Sequence, residues 1–189
     1  MKKIMLATAL IAAFAAPQAF AQAKNFEGFS VFGGLNVANS KIENNTTSSA
    51  TSTSTNVTLQ AQYAWALGDQ FVLGVGAAAG AGDLTFATGL AGDIKLKDNA
   101  AVFIAPGFAV SNSTLVYGKV ASTSGTVYDN SGSFSVTGVG YGIGAQFKSG
   151  NNLYYQVEYL QNNFADKDYG GKTWKTSTGG LSFGVGYKF

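Results

Sequence analysis

The chain is poor in the side chains that most enzymes use. Its 189 residues contain no Cys, no His and no Arg. It therefore supplies no thiolate nucleophile, disulfide framework, Ser-His-Asp triad or zinc site of His and Cys ligands. What remains is sparse. Lys119 and Glu158 stand as single charges in the stretches Val116-Tyr117-Gly118-Lys119-Val120 and Tyr155-Gln156-Val157-Glu158-Tyr159. Gln60, Gln62, Gln146 and Gln156 alternate with apolar or small residues. Asp166 and Asp168 share a short segment with Lys167 and Lys172, which reads as a solvated charge cluster. That pair also lacks the twelve-residue pattern of a calcium loop. The sequence offers no catalytic residues, no metal ligands and no cofactor motif.

Charge adds little. Lys+Arg number 12, all Lys, against 10 Asp+Glu. Two of those lysines, Lys2 and Lys3, belong to a leader, so 12 − 2 = 10 lysines face 10 carboxylates in the rest of the chain. No run of Lys interleaves with aromatics, and no nucleic-acid partner is expected.

Met1-Lys2-Lys3 is a short positive start, Ile4 to Ala16 is apolar, and Ala19-Phe20-Ala21 supplies a small-x-small cleavage pattern. Residues 1–21 read as a cleaved, Sec-type signal peptide. Cleavage after Ala21 is the first choice, and Ala21-Gln22-Ala23 allows a cut after Ala23. The apolar stretch would span only about 20 Å as a helix, too short for a bilayer core of about 30 Å. Residues 22–189 then form one domain, in which no apolar run approaches the length of a membrane helix.

That domain is strand-like almost throughout, with two-residue alternation and no sustained helical stripe. Eight strands are expected, near 27–39, 56–66, 70–84, 93–110, 114–124, 132–147, 152–164 and 174–189. Asn44 to Asn56 reads as a Ser/Thr-rich polar linker. Pro106-Gly107 reads as a bulge in strand four, whose even face carries Val102, Ile104, Phe108 and Val110 and whose odd face carries Lys95, Lys97 and Asn99. Connections after strands two, four and six are short. Those near 40–55, 83–93, 125–131 and 165–173 are longer and more polar.

One face of each strand is apolar. The other carries Gly, Ser, Asn, Gln, Lys and Glu. Gly138, Gly140, Gly142 and Gly144 would leave backbone bare on a soluble exterior, but they suit a crowded interior. The apolar face is therefore assigned to lipid, and the sheet must close, since open edges in hydrocarbon leave backbone groups unpaired. The expected fold is all-β: a closed eight-stranded antiparallel up-and-down transmembrane β-barrel. Its lumen would hold a polar cluster of Gln60, Gln62, Lys119, Gln146, Gln156 and Glu158. Lys119 either pairs with Glu158 inside or sits unpaired near a rim, and both placements stay open. Trp65, Phe71, Phe147, Tyr155, Tyr187 and Phe189 fall near the short-turn rim and form an expected aromatic girdle.

The ending Ser182-x-Gly184-x-x-Tyr187-x-Phe189 resembles the C-terminal assembly signal of bacterial outer-membrane barrels. The full length resembles the small eight-stranded group that includes OmpX, Ail and the transmembrane part of OmpA. Pro106-Gly107-Phe108-Ala109, Leu115-Val116-Tyr117-Gly118-Lys119 and Gly138-Val139-Gly140-Tyr141-Gly142-Ile143-Gly144 resemble the porin-family subset. The resemblance implies a monomer in the outer membrane of a Gram-negative bacterium. Its partners would be membrane lipid and lipopolysaccharide, with the barrel-assembly machinery and periplasmic chaperones during biogenesis. The expected role is non-enzymatic: envelope integrity, adhesion or host contact through the outer loops. A narrow diffusion channel is the alternative. An outer-membrane enzyme and a soluble periplasmic ligand-binding barrel are less favoured, the first because known enzymes of that kind depend on His.

Overall fold

The computed structural model describes residues 22–44, 49–87, 93–129, 132–150, 152–169 and 172–189. The expected signal peptide, 1–21, lies outside the described residues. The chain enters through a 3-10 turn, η1 (Ala23–Phe26), and continues into β1 (Gly28–Asn44), β2 (Ser49–Ala66), β3 (Phe71–Ala81) and a short β4 (Leu84–Ala87). Next come β5 (Ile94–Ser111), β6 (Thr114–Asp129), β7 (Gly132–Ser149), β8 (Leu153–Phe164), a short β9 (Lys167–Tyr169) and β10 (Lys172–Lys188). Eight long strands pair antiparallel in the order β1-β2-β3-β5-β6-β7-β8-β10, and β10 returns to pair with β1. The wall is thus a closed eight-stranded meander. β4 hangs on β5, and β9 on β10.

The pleat decides which residues face lipid. Leu35 lies opposite Val57 on one side and Phe183 on the other, so like faces meet across neighbouring strands. Large apolar side chains cover the outside: Ile143 is 69 % exposed, Val102 62 % and Leu59 57 %. Inside, Gln156 is 3 % exposed, Lys119 4 % and Glu158 6 %. This arrangement inverts that of a water-soluble protein, and so extensive an apolar exterior needs a nonaqueous solvent. The outward apolar runs are nine residues long in several strands: 29–37, 57–65, 139–147 and 181–189. Tilted strands of about 9–11 residues cross a bilayer core.

Strand boundaries differ from the sequence-based expectation in instructive ways. Most of the expected Ser/Thr linker is wall: Ser49 to Asn56 belongs to β2 and pairs residue for residue with Asn36–Glu43, while residues 45–48 lie outside the described residues. β-Branched Thr tolerates extended backbone, and pairing satisfies the backbone groups that a loop would leave to water. β6 likewise runs to Asp129, so most of the expected 125–131 loop is wall. The 83–93 and 165–173 connections contain β4 and β9. These extensions carry β2 about 20 Å beyond the membrane band, allowing for tilt.

β5 is also more irregular than expected. There is no bulge at Pro106-Gly107, because Ile104↔Val120 and Gly107↔Tyr117 keep one register. Pro106 faces outward opposite Leu73. The register shifts instead between Lys97 and Ala100 and between Ala109 and Ser111. Asp98, with φ 51°, lies in the first shift. One extra residue reverses side-chain parity there. Lys95 and Lys97 therefore flank a buried Leu96, while Asn99 lines the lumen and Phe103 and Ala105 face inward beyond it. The expected common odd face of Lys95, Lys97 and Asn99 does not exist. The outward even face of Val102 and Ile104 does.

Inside, two apolar clusters are separated by a polar belt. At the short-turn end, Ala23 and Phe26 of η1 pack with Ala64, Val72, Ala109, Leu115 and Tyr117. At the opposite end, Leu84 and Phe86 of β4 pack with Ile42, Leu96, Val127, Val136 and Phe164.

Candidate functional site

Lys119 and Glu158 meet across the intervening strand. Lys119 on β6 lies beside Gly142, and Glu158 on β8 lies beside Gly144. Because β7 carries only hydrogens at those inward positions, the two long side chains reach over it. Lys119 Nζ stands 2.5 Å from Glu158 Oε2 and donates to Gln60 Oε1 at 2.8 Å. Tyr117 Oη donates to the same carboxylate oxygen at 2.7 Å. Gln60 Nε2 donates onward to Gln62 Oε1 at 3.3 Å. The ammonium also lies 4.1 Å from the centroid of the Phe103 ring, close enough for cation–π attraction. Burial of these charges is tolerable because each has an opposite charge and further hydrogen bonds.

A second amide pair lies below. Gln146 Nε2 donates to Gln156 Oε1 at 3.0 Å. All six residues expected in the lumen cluster are therefore buried inside, and the open question of Lys119 resolves in favour of the Glu158 pair. The sequence pattern missed their aromatic supports. A Cβ on Gly144 would overlap the Tyr117 ring, and one on Gly186 would overlap Tyr154. The inward glycines thus accommodate rings lying flat against the wall as well as long polar chains. The signal lay in the sequence, since Tyr117 and Lys119 have the same parity. Pairing β6 with β7 was needed to see which glycine each one covers.

The six girdle residues all point outward near the short-turn end. Tyr187 and Phe189 have ring centroids 5.0 Å apart, and Phe29 joins them at 5.7 Å from Phe189. Of the C-terminal motif, Ser182 and Gly184 face the lumen, while Tyr187 and Phe189 face lipid. Phe189 N donates to Phe29 O at 2.9 Å beside the closing β1–β10 seam. The mouth at the short-turn end is filled by η1. Lys188 Nζ donates to Phe26 O and to Glu27 O, and Ala23 N donates to Asp69 O. The turn's short length and lack of apolar periodicity hid it from the sequence pattern. The expected acidic cluster is engaged locally: Asp166 lies 3.7 Å from Lys175, and Asp168 accepts from Thr173 Oγ1. Among the described residues no group of carboxylates gathers as a metal site would require.

Residues 6–189 of the chain match one family model, the outer membrane protein beta-barrel domain. The chain belongs to that family. Barrels of this family reside in the bacterial outer membrane, and this places the aliphatic band in that bilayer. Solved barrels share the fold at low identity. Neisserial surface protein A is 18 % identical, with a TM-score of 0.54, over 86 % of this chain and 100 % of that one. Ail, the attachment invasion locus protein of Yersinia pestis, solved in complex with the heparin analogue sucrose octasulfate, is 17 % identical with a TM-score of 0.53. That match covers 86 % of this chain and 99 % of Ail. OprG from Pseudomonas aeruginosa is 17 % identical with a TM-score of 0.50, over 86 % of this chain and 96 % of OprG. No curated protein matches in sequence.

Proposed function

We propose that this outer-membrane barrel is a non-conducting, non-enzymatic scaffold whose outward extensions make surface contacts, for envelope integrity, adhesion or host contact. The observation that carries this is the set of side-chain layers that block the lumen. The Lys119–Glu158–Tyr117–Gln60 belt crosses its middle, and an apolar cluster occupies each end. A water-filled path for solutes would need all three layers to part. Eight-stranded walls leave an interior just wide enough for side chains, which favours this reading.

Among the described residues, the outward extensions are paired strands. Thr51, Thr53 and Thr55 project outward from β2 beside Asn39 and Lys41 of β1. Lys41, Lys95, Lys97 and Lys175 each sit beside a carboxylate. Such a surface favours hydroxyl-rich, weakly charged partners, such as the sugars of lipopolysaccharide, over a polysulfated sugar such as the sucrose octasulfate in the Ail complex. The monomer, and the part played by Ser182, Gly184, Tyr187 and Phe189 in recognition by assembly machinery, belong to this proposal too.

Planar-bilayer recording tests the central claim. The purified full-length barrel should give no discrete, reproducible openings. Regular unitary steps would promote the narrow-channel reading, which the polar cavity above the belt favours. A deletion strain assayed for permeability, adhesion and serum survival then separates the surface roles.

A further inference from the structure

Above the Lys119–Glu158 belt the lumen is not filled. A cavity of about 100 Å³ lies there, between the belt and the outer apolar cluster. Asn36, Asn56, Asn99, Asn162, Thr123 and Thr178 are prominent among its lining. One water needs roughly 10–15 Å³ of such space, so the cavity exceeds a single water several-fold. Glycines keep it open. A Cβ on Gly80 would overlap Asn99 Oδ1, and one on Gly140 would overlap Asn162 Oδ1, so both amides lie against bare backbone.

Part of the lining is satisfied within the wall. Asn36 Nδ2 donates to Asn56 Oδ1 at 2.9 Å, and Asn162 Nδ2 donates to Thr178 Oγ1 at 3.1 Å. Three buried polar atoms are not. Thr123 Oγ1, Asn99 Nδ2 and Asn162 Oδ1 have no hydrogen-bond partner, and Thr123 is 6 % exposed. They present a hydroxyl, a donor and an acceptor. Buried polar groups are nearly always paired, with solvent or ligand where protein does not serve. The charges on the floor neutralise each other, so the chamber asks for a neutral occupant.

The roof is Leu84 with Leu96 and Phe164, backed by the fully buried Phe86. Two of these four belong to β4, which is four residues long and, among the described residues, strand-paired with β5 alone, through an irregular register. Gly82, at φ 102°, allows the reversal that folds β4 inward, a conformation that side-chain-bearing residues rarely adopt.

We propose that the upper lumen is a blind, outward-facing chamber that binds a small neutral hydroxyl-bearing molecule, with β4 as its cork. Water is the smallest such occupant and glycerol the next practical probe. The inference rests on the belt below being closed, as the proposed function holds.

The chain has no cysteine, so a single introduced thiol is a clean reporter. Thr123→Cys reports the chamber, and Gln156→Cys reports the lumen below the belt. Both are made in the full-length barrel in detergent micelles, with folding checked by gel migration before and after boiling, and are treated with methyl methanethiosulfonate. Thr123→Cys should react slowly, and at least tenfold faster when Leu84→Gly and Phe86→Gly remove the cork. Phe86→Ala, a milder change, should give an intermediate rate and serves if the double change prevents folding. Gln156→Cys should stay slow in every background. Glycerol should slow the uncorked Thr123→Cys reaction at least threefold, and Asn162→Ala should weaken that protection. Fast reaction at Thr123→Cys in the intact barrel, or no acceleration on trimming β4, overturns the cork. Absence of glycerol protection overturns the ligand assignment. Parallel acceleration at Gln156→Cys instead refutes the closed belt.

Discussion

The buried ion pair gives the sharpest quantitative prediction. Glu158→Gln keeps the shape of the side chain and an acceptor for Tyr117 Oη, but it removes the counter-charge of Lys119. The lysine side chain is only 3 % exposed, so its charge is largely desolvated. Breaking a buried pair by removing one partner typically costs about 3–5 kcal/mol. Gln60 Oε1 at 2.8 Å and the Phe103 ring remain as partial support, so a loss of about 3 kcal/mol is expected. Lys119→Met combined with Glu158→Gln removes both charges and leaves volume nearly intact. That double variant should lie within about 1.5 kcal/mol of the parent, because a neutral replacement of a buried pair is often tolerated. Lys119→Met alone leaves the Glu158 carboxylate without its counter-charge and should cost at least about 1 kcal/mol, so the two changes are coupled by about 2 kcal/mol or more. Urea titration of the barrel refolded into lipid vesicles, scored by gel mobility without boiling, measures all four corners of the cycle. A single variant within about 1 kcal/mol of the parent, or a double variant as weak as the summed singles, would refute the claim that this pair is a desolvated, mutually dependent unit.

Arg at Val139 or Ile143 should cost about 2–4 kcal/mol in the same titration, while Leu is tolerated, since both face the lipid band. Unimpaired assembly with Arg there would reverse the assignment of faces. Gly142→Leu and Gly144→Leu should abolish the fast-migrating folded band, because even a Cβ at these positions overlaps Tyr159 O or the Tyr117 ring. Lys188→Met should release η1, exposing Lys24 to trypsin at least tenfold faster while the barrel itself stays protected, since Lys188 Nζ holds Phe26 O and Glu27 O.

Much of the wall was legible without coordinates. Alternation in 139–147 and 181–189 fixes which residues share a face, because the pleat has a period of two. Gly at the inward positions, with single charges beside them, identifies the wet face as the crowded one. The aromatic run at the last residues places a girdle. Errors arose where local composition and pairing disagree. Residues 49–56 look like a linker by composition, but β1 offers them an unbroken partner. Pro106 looks like a bulge, but it sits on the outer side of an unbroken register.

Residue type and two-residue parity are enough to set a lipid-facing band and a closed antiparallel wall, and to exclude thiolate and imidazole chemistry. Tertiary structure alone decided that Lys119 meets Glu158 over Gly142 and Gly144, that Phe26 and Phe86 occupy opposite ends of the lumen, and that Asn99 and Thr123 share a chamber. Each of those facts depends on register between strands distant in sequence, or on one inserted residue at Asp98 that turns a face over. Parity within a strand is a local property. Register across a barrel is fixed only when all eight strands have closed.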